Sequence, residues 1–178
     1  MLGKLVRCGV EIEDKELCLV PTTKGHLAKC LKMINDPDTS RFLLARFAFT
    51  EEQEAEWLKN ESGDPHSVIW SIQLGDEHVG QTGIHHINQL TRTAVTGIVI
   101  DREHWHKGIA IAVMKARAVY AKNHLGLVAL FTEICVANTY SQKAAETAGY
   151  EKYGIKPYGM FANGQCYSLW LGCLDLTK

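Results

Sequence analysis

Hydrophobic positions change their period several times along the chain, and each change marks an element. Residues 16–20 (ELCLV) alternate apolar and polar closely enough to predict a strand, which Pro21 ends. Between Lys24 and Asn35, Leu27, Cys30, Leu31 and Ile34 recur at three- and four-residue spacing, which predicts an amphipathic helix stopped by the Asn35-Asp36-Pro37 turn. Thr50-Glu51-Glu52-Gln53 has the form of a capping box, so a second helix is expected from Thr50 to about Asn60, closed by Ser62-Gly63-Asp64-Pro65. Three strand-like runs follow, at 66–74, 78–87 and 93–101, joined by short polar segments as in an antiparallel meander. Ile109 to His124 reads as a long helix carrying Val113, Met114, Arg117 and Tyr120 on neighbouring turns, with Gly126 as its stop. Residues 127–136 read as a buried strand, Tyr140 to Ala148 as a short helix ended by Gly149, and two last strands lie around 150–158 and 165–174. The first dozen residues have no clear period and are expected to add a strand or to remain mobile.

This order of elements, with no internal repeat, suits one α/β domain over residues 1–178, with 1–15 as an N-terminal extension. The formal net charge is −1 with basic residues scattered, which argues against a nucleic-acid partner. No apolar run approaches the roughly 20 residues of a membrane span, and the N-terminus carries charges where a signal peptide needs an apolar stretch. A cytoplasmic protein is expected. Six cysteines without any C-x-x-C pair point to free, mostly buried thiols rather than disulfides or a zinc site. His85-His86, His104 and His106 raise the question of a metal, but neighbours in a strand point to opposite faces, so none is expected. One of the pair, alongside Gln81, is a candidate acceptor contact or proton relay.

Residues 95–110 run from a strand through a short loop into a helix start. The first amides of a helix lack intrahelical partners and sit at the positive end of its dipole, so a pyrophosphate can accept several hydrogen bonds there. Gly108 leaves room for close backbone approach, Ala110 is small, and Lys107 offers a point charge. Neither a G-x-x-x-x-G-K-[ST] nor a G-x-G-x-x-G motif is present.

Trp105-His106-Lys107-Gly108-Ile109-Ala110 resembles the Q/R-x-x-G-x-G/A loop of the GNAT acetyltransferase superfamily, with Trp in place of Gln or Arg. Asn138-Thr139-Tyr140-Ser141 through Ala148-Gly149-Tyr150 resembles that family's N-x-x-[SA]…G-[FY] signature, and the tail from Phe161 is similar to the NG-containing hairpin of its polyamine branch. The resemblance runs from about Leu17 to Leu171, nearest to the ribosomal-protein N-terminal and polyamine acetyltransferases. It implies a central, mixed but mostly antiparallel twisted sheet of about 6–7 strands with about 4 helices.

It also implies an acetyl-CoA-dependent transfer to a primary amine by direct attack in a ternary complex, without a metal. Ile98, Val99 and Ile100 would splay from the next strand and pair with the pantetheine amides, their amides also serving the acetyl oxygen. Trp105, His106, Lys107, Gly108, Ile109 and Ala110 would hold the diphosphate, and Asn138 and Ser141 would complete the cofactor contacts. Asn138 reads equally as a helix N-cap.

Glu133 interrupts an apolar strand and stands where some N-terminal acetyltransferases have a base; the other reading is a surface ion pair. The family's acidic Tyr is replaced by Ala145, leaving Ser141, with Tyr140 behind it, to protonate the thiolate. Acceptor contacts are expected from residues 24–62 and the last hairpin, and the segment 41–49 reads as a groove wall or a buried connection. Its two arginines suit an acidic or carboxylate-bearing acceptor better than a polyamine. The acceptor is thus a protein N-terminus or a small amine, the assembly a monomer or homodimer. The alternative function is a non-catalytic acyl-CoA-binding module.

Overall fold

The computed structural model of the chain describes residues 3–43, 48–162 and 164–178. One eight-stranded sheet has the order β1-β2-β3-β4-β5-β6-β8-β7. The strands are β1 (Val6–Ile12), β2 (Lys15–Pro21), β3 (Val68–Leu74), β4 (Glu77–Asn88), β5 (Thr93–Ile100), β6 (Ala129–Cys135), β7 (Glu151–Ala162) and β8 (Gln165–Asp175). Every neighbouring pair is antiparallel except β5 with β6. The helices are α1 (Leu27–Asn35), α2 (Pro37–Ser40), α3 (Glu51–Gly63), α4 (Ile109–Leu125) and α5 (Thr139–Thr147).

The sheet exceeds the expected 6–7 strands because the first dozen residues supply β1, paired with β2. α2 is a further departure: the Asp36 carboxylate accepts from the amides of Asp38 and Thr39, so Asp36-Pro37 ends one helix and starts another. The Thr50 box forms as read, with Gln53 N donating to Thr50 Oγ1 at 3.3 Å and Thr50 N to Gln53 Oε1 at 2.9 Å. Gly126 closes α4 in a left-handed conformation.

Alternation along β3 divides the core between the two faces of the sheet. Val68, Trp70, Ile72 and Leu74 join Val113, Met114 and Tyr120 of α4 in the main cluster, with Trp70 and Tyr120 edge to face at 4.9 Å. Ile69, on the other face, packs with Leu27 of α1 and Leu58 of α3. One face is therefore covered by α4 and α5, the other by α1 and α3. All six cysteines are free, but only Cys30 and Cys135 are fully buried and Cys166 is exposed, so burial is less general than expected. Among the described residues no helix is long and apolar enough to cross a membrane.

Candidate active site

β5 pairs with β4 as far as Ile100, but with β6 only from Thr93 to Val95. β6 itself stays paired with β8 to Cys135, so the two strands part beyond Val95 and Phe131. The last ties at the fork are side-chain bonds, from Thr96 Oγ1 to the Phe131 carbonyl (3.0 Å) and from Thr132 Oγ1 to the Thr96 carbonyl (3.4 Å). Asp101 N donates to the Val79 carbonyl. By ladder alternation Val99 and Gly97 then turn their backbone groups to β4, while Ile98 and Ile100 turn theirs to the gap. The Trp105 indole donates to the Ile100 carbonyl at 2.8 Å and staples the loop to the strand end. The Ile98 amide and carbonyl are left facing the gap with no strand opposite. Of the three residues expected to present backbone there, Val99 instead lines a cleft on the α1/α3 face.

The loop into α4 turns through two left-handed residues, His106 (φ 62) and Gly108 (φ 80). None of the amides from His106 to Ile111 donates to a described residue, the first helical bond being Ala112 N to the Gly108 carbonyl. A side chain on Gly108 would meet nothing within 4 Å, so this end of α4 opens outward. No acidic residue stands in its first turn. The chemistry of these donors fits a diphosphate. Lys107, expected to add charge there, is tied to Glu13 Oε1 at 2.9 Å, and its ammonium holds the Glu13 carboxyl below the usual range.

Across the fork, Asn138 Oδ1 accepts from Ser141 N at 3.1 Å and caps α5, leaving its amide NH2 as donor. Ser141 is half-buried. Tyr140 is 73% exposed, and its ring stands edge-on to His106 at 5.0 Å, so the two helix starts touch. Glu133 belongs to the other face of β6, with Phe131 and Cys135, where Lys156 Nζ approaches its carboxylate at 3.3 and 3.5 Å. The structure thus brings residues 98–110 together with Asn138, Tyr140 and Ser141, and sets Glu133 behind the sheet in a surface ion pair.

On that same face, beside the fork, lies a cleft of about 170 Å³ lined in part by Trp57, Ile69, Gln81, His85 and Val99. Gly83 of β4 is paired with Gly97 of β5, and these two residues without side chains form its floor. The His85 ring lies over Gly83, where a Cβ would come within 2.3 Å of Nε2. Its Nδ1 lies 3.2 Å from Glu61 Oε2 of α3. Burial lowers the His85 pKa, with Arg117 and His86 adding to the effect and Glu61 opposing it. Gln81 is 9% exposed, and its Nε2 is buried without a partner among the described residues. His86 points to solvent, His104 meets Glu77 and His106 meets Tyr140, so these histidines do not converge, and no metal-binding cluster exists among the described residues.

Arg117 is 1% exposed beneath the fork. Its Nη1 donates to Thr82 Oγ1 and the Gly97 carbonyl, both at 2.6 Å, and its Nη2 reaches the Tyr150 hydroxyl at 3.4 Å. That hydroxyl in turn meets Thr96 Oγ1 at 3.0 Å. A buried cation with hydroxyl and carbonyl partners pins α4 to β4 and β5 beside the fork. The sequence signal was a charge within the apolar stripe of α4, but its partners come from three other segments.

The acetyltransferase (GNAT) domain family matches residues 16–151. The chain belongs to the GNAT acetyltransferase family. An uncharacterised N-acetyltransferase of Bacillus subtilis (strain 168), YoaA, is 30% identical over 102 residues, 56% of this chain and 58% of that protein. The aligned region therefore spans little more than half of that relative. Spermidine N-acetyltransferase from Vibrio cholerae, solved with CoA and spermine, superposes with a TM-score of 0.86 at 19% identity, covering 91% of this chain and 96% of that one. RimJ from Mycobacterium smegmatis, in complex with CoA-disulfide, gives 0.85 at 14% identity, covering 97% and 87%. At these identities the likeness is one of fold.

Proposed function

We propose that the protein is an N-acetyltransferase that moves the acetyl group of acetyl-CoA to a primary amine by direct attack in a ternary complex. The observation that carries this reading is the fork. Free helix amides flank it on the α4 side, and a cleft lined in part by Gln81 and His85 flanks it on the other.

In this reading the amides of residues 106–110 hold the diphosphate, the Trp105 amide being taken by the Arg102 carbonyl, the Ile98 backbone and the Asn138 amide hold the pantetheine arm, and Ile98 N–H is available to the acetyl oxygen. The bound thioester supplies an activated acyl group. The amine arrives from the α1/α3 face, where Glu133 is a candidate proton acceptor once Lys156 is displaced. Ser141, with Tyr140 behind it, stands on the opposite face, where the departing sulfur needs a proton. One neighbour was solved with a polyamine, and the acceptor class we assign is a protein N-terminus or a small-molecule amine. Such a reaction belongs in the cytoplasm, where acetyl-CoA is available.

Thiol release from acetyl-CoA, measured against spermidine, spermine and peptides with free N-termini, tests the reading. Turnover with at least one amine is expected. Coenzyme A binding without turnover on any of them would leave only a binding module.

A further inference from the structure

The cleft beneath the fork contains a group the family reading does not use. His85 sits over the Gly83–Gly97 floor, its Nδ1 side held by Glu61 and its Nε2 without a hydrogen bond to any described residue. The same cleft receives Gln81, more than nine-tenths buried, whose Nε2 has no acceptor among the described residues. A buried amide donor without a partner is destabilising unless something outside the chain satisfies it. Two polar groups converge on one space, which borders the strand that carries the acyl contact.

We infer that His85 is the catalytic residue that takes the proton from the acceptor amine, with Glu61 as its positioning residue and Gln81 donating to an oxygen of the bound substrates. The inference rests on the N-acetyltransferase reading and specifies its acceptor side. Glu61 accepting from Nδ1–H fixes the tautomer whose Nε2 lone pair is directed at the cleft. The charges acting on the ring are Glu61 from α3, Arg117 of α4 across the sheet and its own neighbour His86, and burial outweighs the single carboxylate. The ring is therefore neutral at physiological pH.

The protons balance as follows. The ammonium gives one proton to His85 Nε2, which passes it to solvent. The freed nitrogen attacks the acetyl carbon, the C–N bond forms and the C–S bond breaks. The second surplus proton on nitrogen ends on the thiolate sulfur, giving amide and free thiol.

Steady-state kinetics of His85→Ala over pH 5–9, with and without added imidazole, test the role. The expected result is a loss of about 100-fold or more in kcat, removal of the acidic limb from the pH profile, partial rescue by imidazole, and unchanged coenzyme A affinity by calorimetry. Glu61→Gln should move the acidic limb of kcat/KM to lower pH, since it removes the one charge that raises the His85 pKa. Long-range 1H–15N spectra of the parent protein should show Nδ1–H, and Nε2–H would overturn the assignment even if His85→Ala fails to fold. A His85→Ala enzyme that keeps its rate and its acidic limb overturns it too, as does an acidic limb that disappears in Glu133→Gln instead. A parent that releases no thiol with any amine brings down the transfer reading itself, and the role with it.

Discussion

Gly108 and Gly83 are small for different reasons, and substitutions separate them. At Gly108 the left-handed backbone strains any L side chain by about 1–2 kcal/mol, yet a Cβ there meets nothing within 4 Å. Gly108→Ala should therefore lower stability slightly, whereas Gly108→Glu should also weaken coenzyme A binding about tenfold or more by calorimetry, through repulsion at the helix amides. At Gly83 a methyl would displace the His85 ring, so Gly83→Ala is expected to lower kcat while leaving coenzyme A affinity near that of the parent. Arg117→Met removes the cation joining α4 to β4 and β5, and should cost on the order of 2–3 kcal/mol in urea unfolding. His78 makes a pH prediction. Burial pushes its pKa down to about 4, so as pH falls below about 6.5 the unfolded chain binds a proton that the fold does not. Stability should decline between about pH 6.5 and about 4, with His26 and His85 lowered in the same direction, and His78→Gln should flatten the slope of urea midpoints across that window. Gly108 stood out in the sequence through the order and spacing of residues 105–110, which resemble the family's loop, and not as a lone glycine between strand and helix. The floor glycines did not, since opposition across two strands is a property of register.

Elements with strong local chemistry could be read from the chain, and α3 is the clearest. Its cap is a reciprocal pair of bonds between residues three apart, and Thr50→Ala should cost about 1 kcal/mol, seen as a melting temperature roughly 2–4 °C lower. β1 was ambiguous for a physical reason. It is an edge strand, half-buried at best, and the Arg7-to-Glu11 register shift around Gly9 (φ 69) interrupts its alternation. Only pairing with β2 makes it a strand. α2 was hidden because Asp-Pro signals a stop and a start equally. Residues Leu44, Ala45, Arg46 and Phe47, within the segment read as a groove wall or a connection, and Asn163 of the terminal hairpin lie outside the described residues.

At the scale of the whole molecule the proposed reading has the sheet separate two chemistries, a division the sequence announced only on the α4 side. Loop and signature motifs marked residues 105–110 and 138–150, because a helix start and its cap are contiguous in the chain. The cleft proposed for the acceptor is assembled from α3, β4 and β5, and no short motif encodes that meeting. The thiols follow the same logic of depth: burial pushes Cys8 and Cys30 up to about 12, so alkylation at pH 7.5 should modify exposed Cys166 first, by peptide mapping. The separation of the strands beyond Val95 carries a kinetic corollary. If each reactant reaches the reaction centre through its own doorway, neither blocks the other's arrival or departure. A small aromatic amine lodged beside Trp57 should then depress Vmax against varied acetyl-CoA without competing with it, while a nucleotide diphosphate fragment should do the converse.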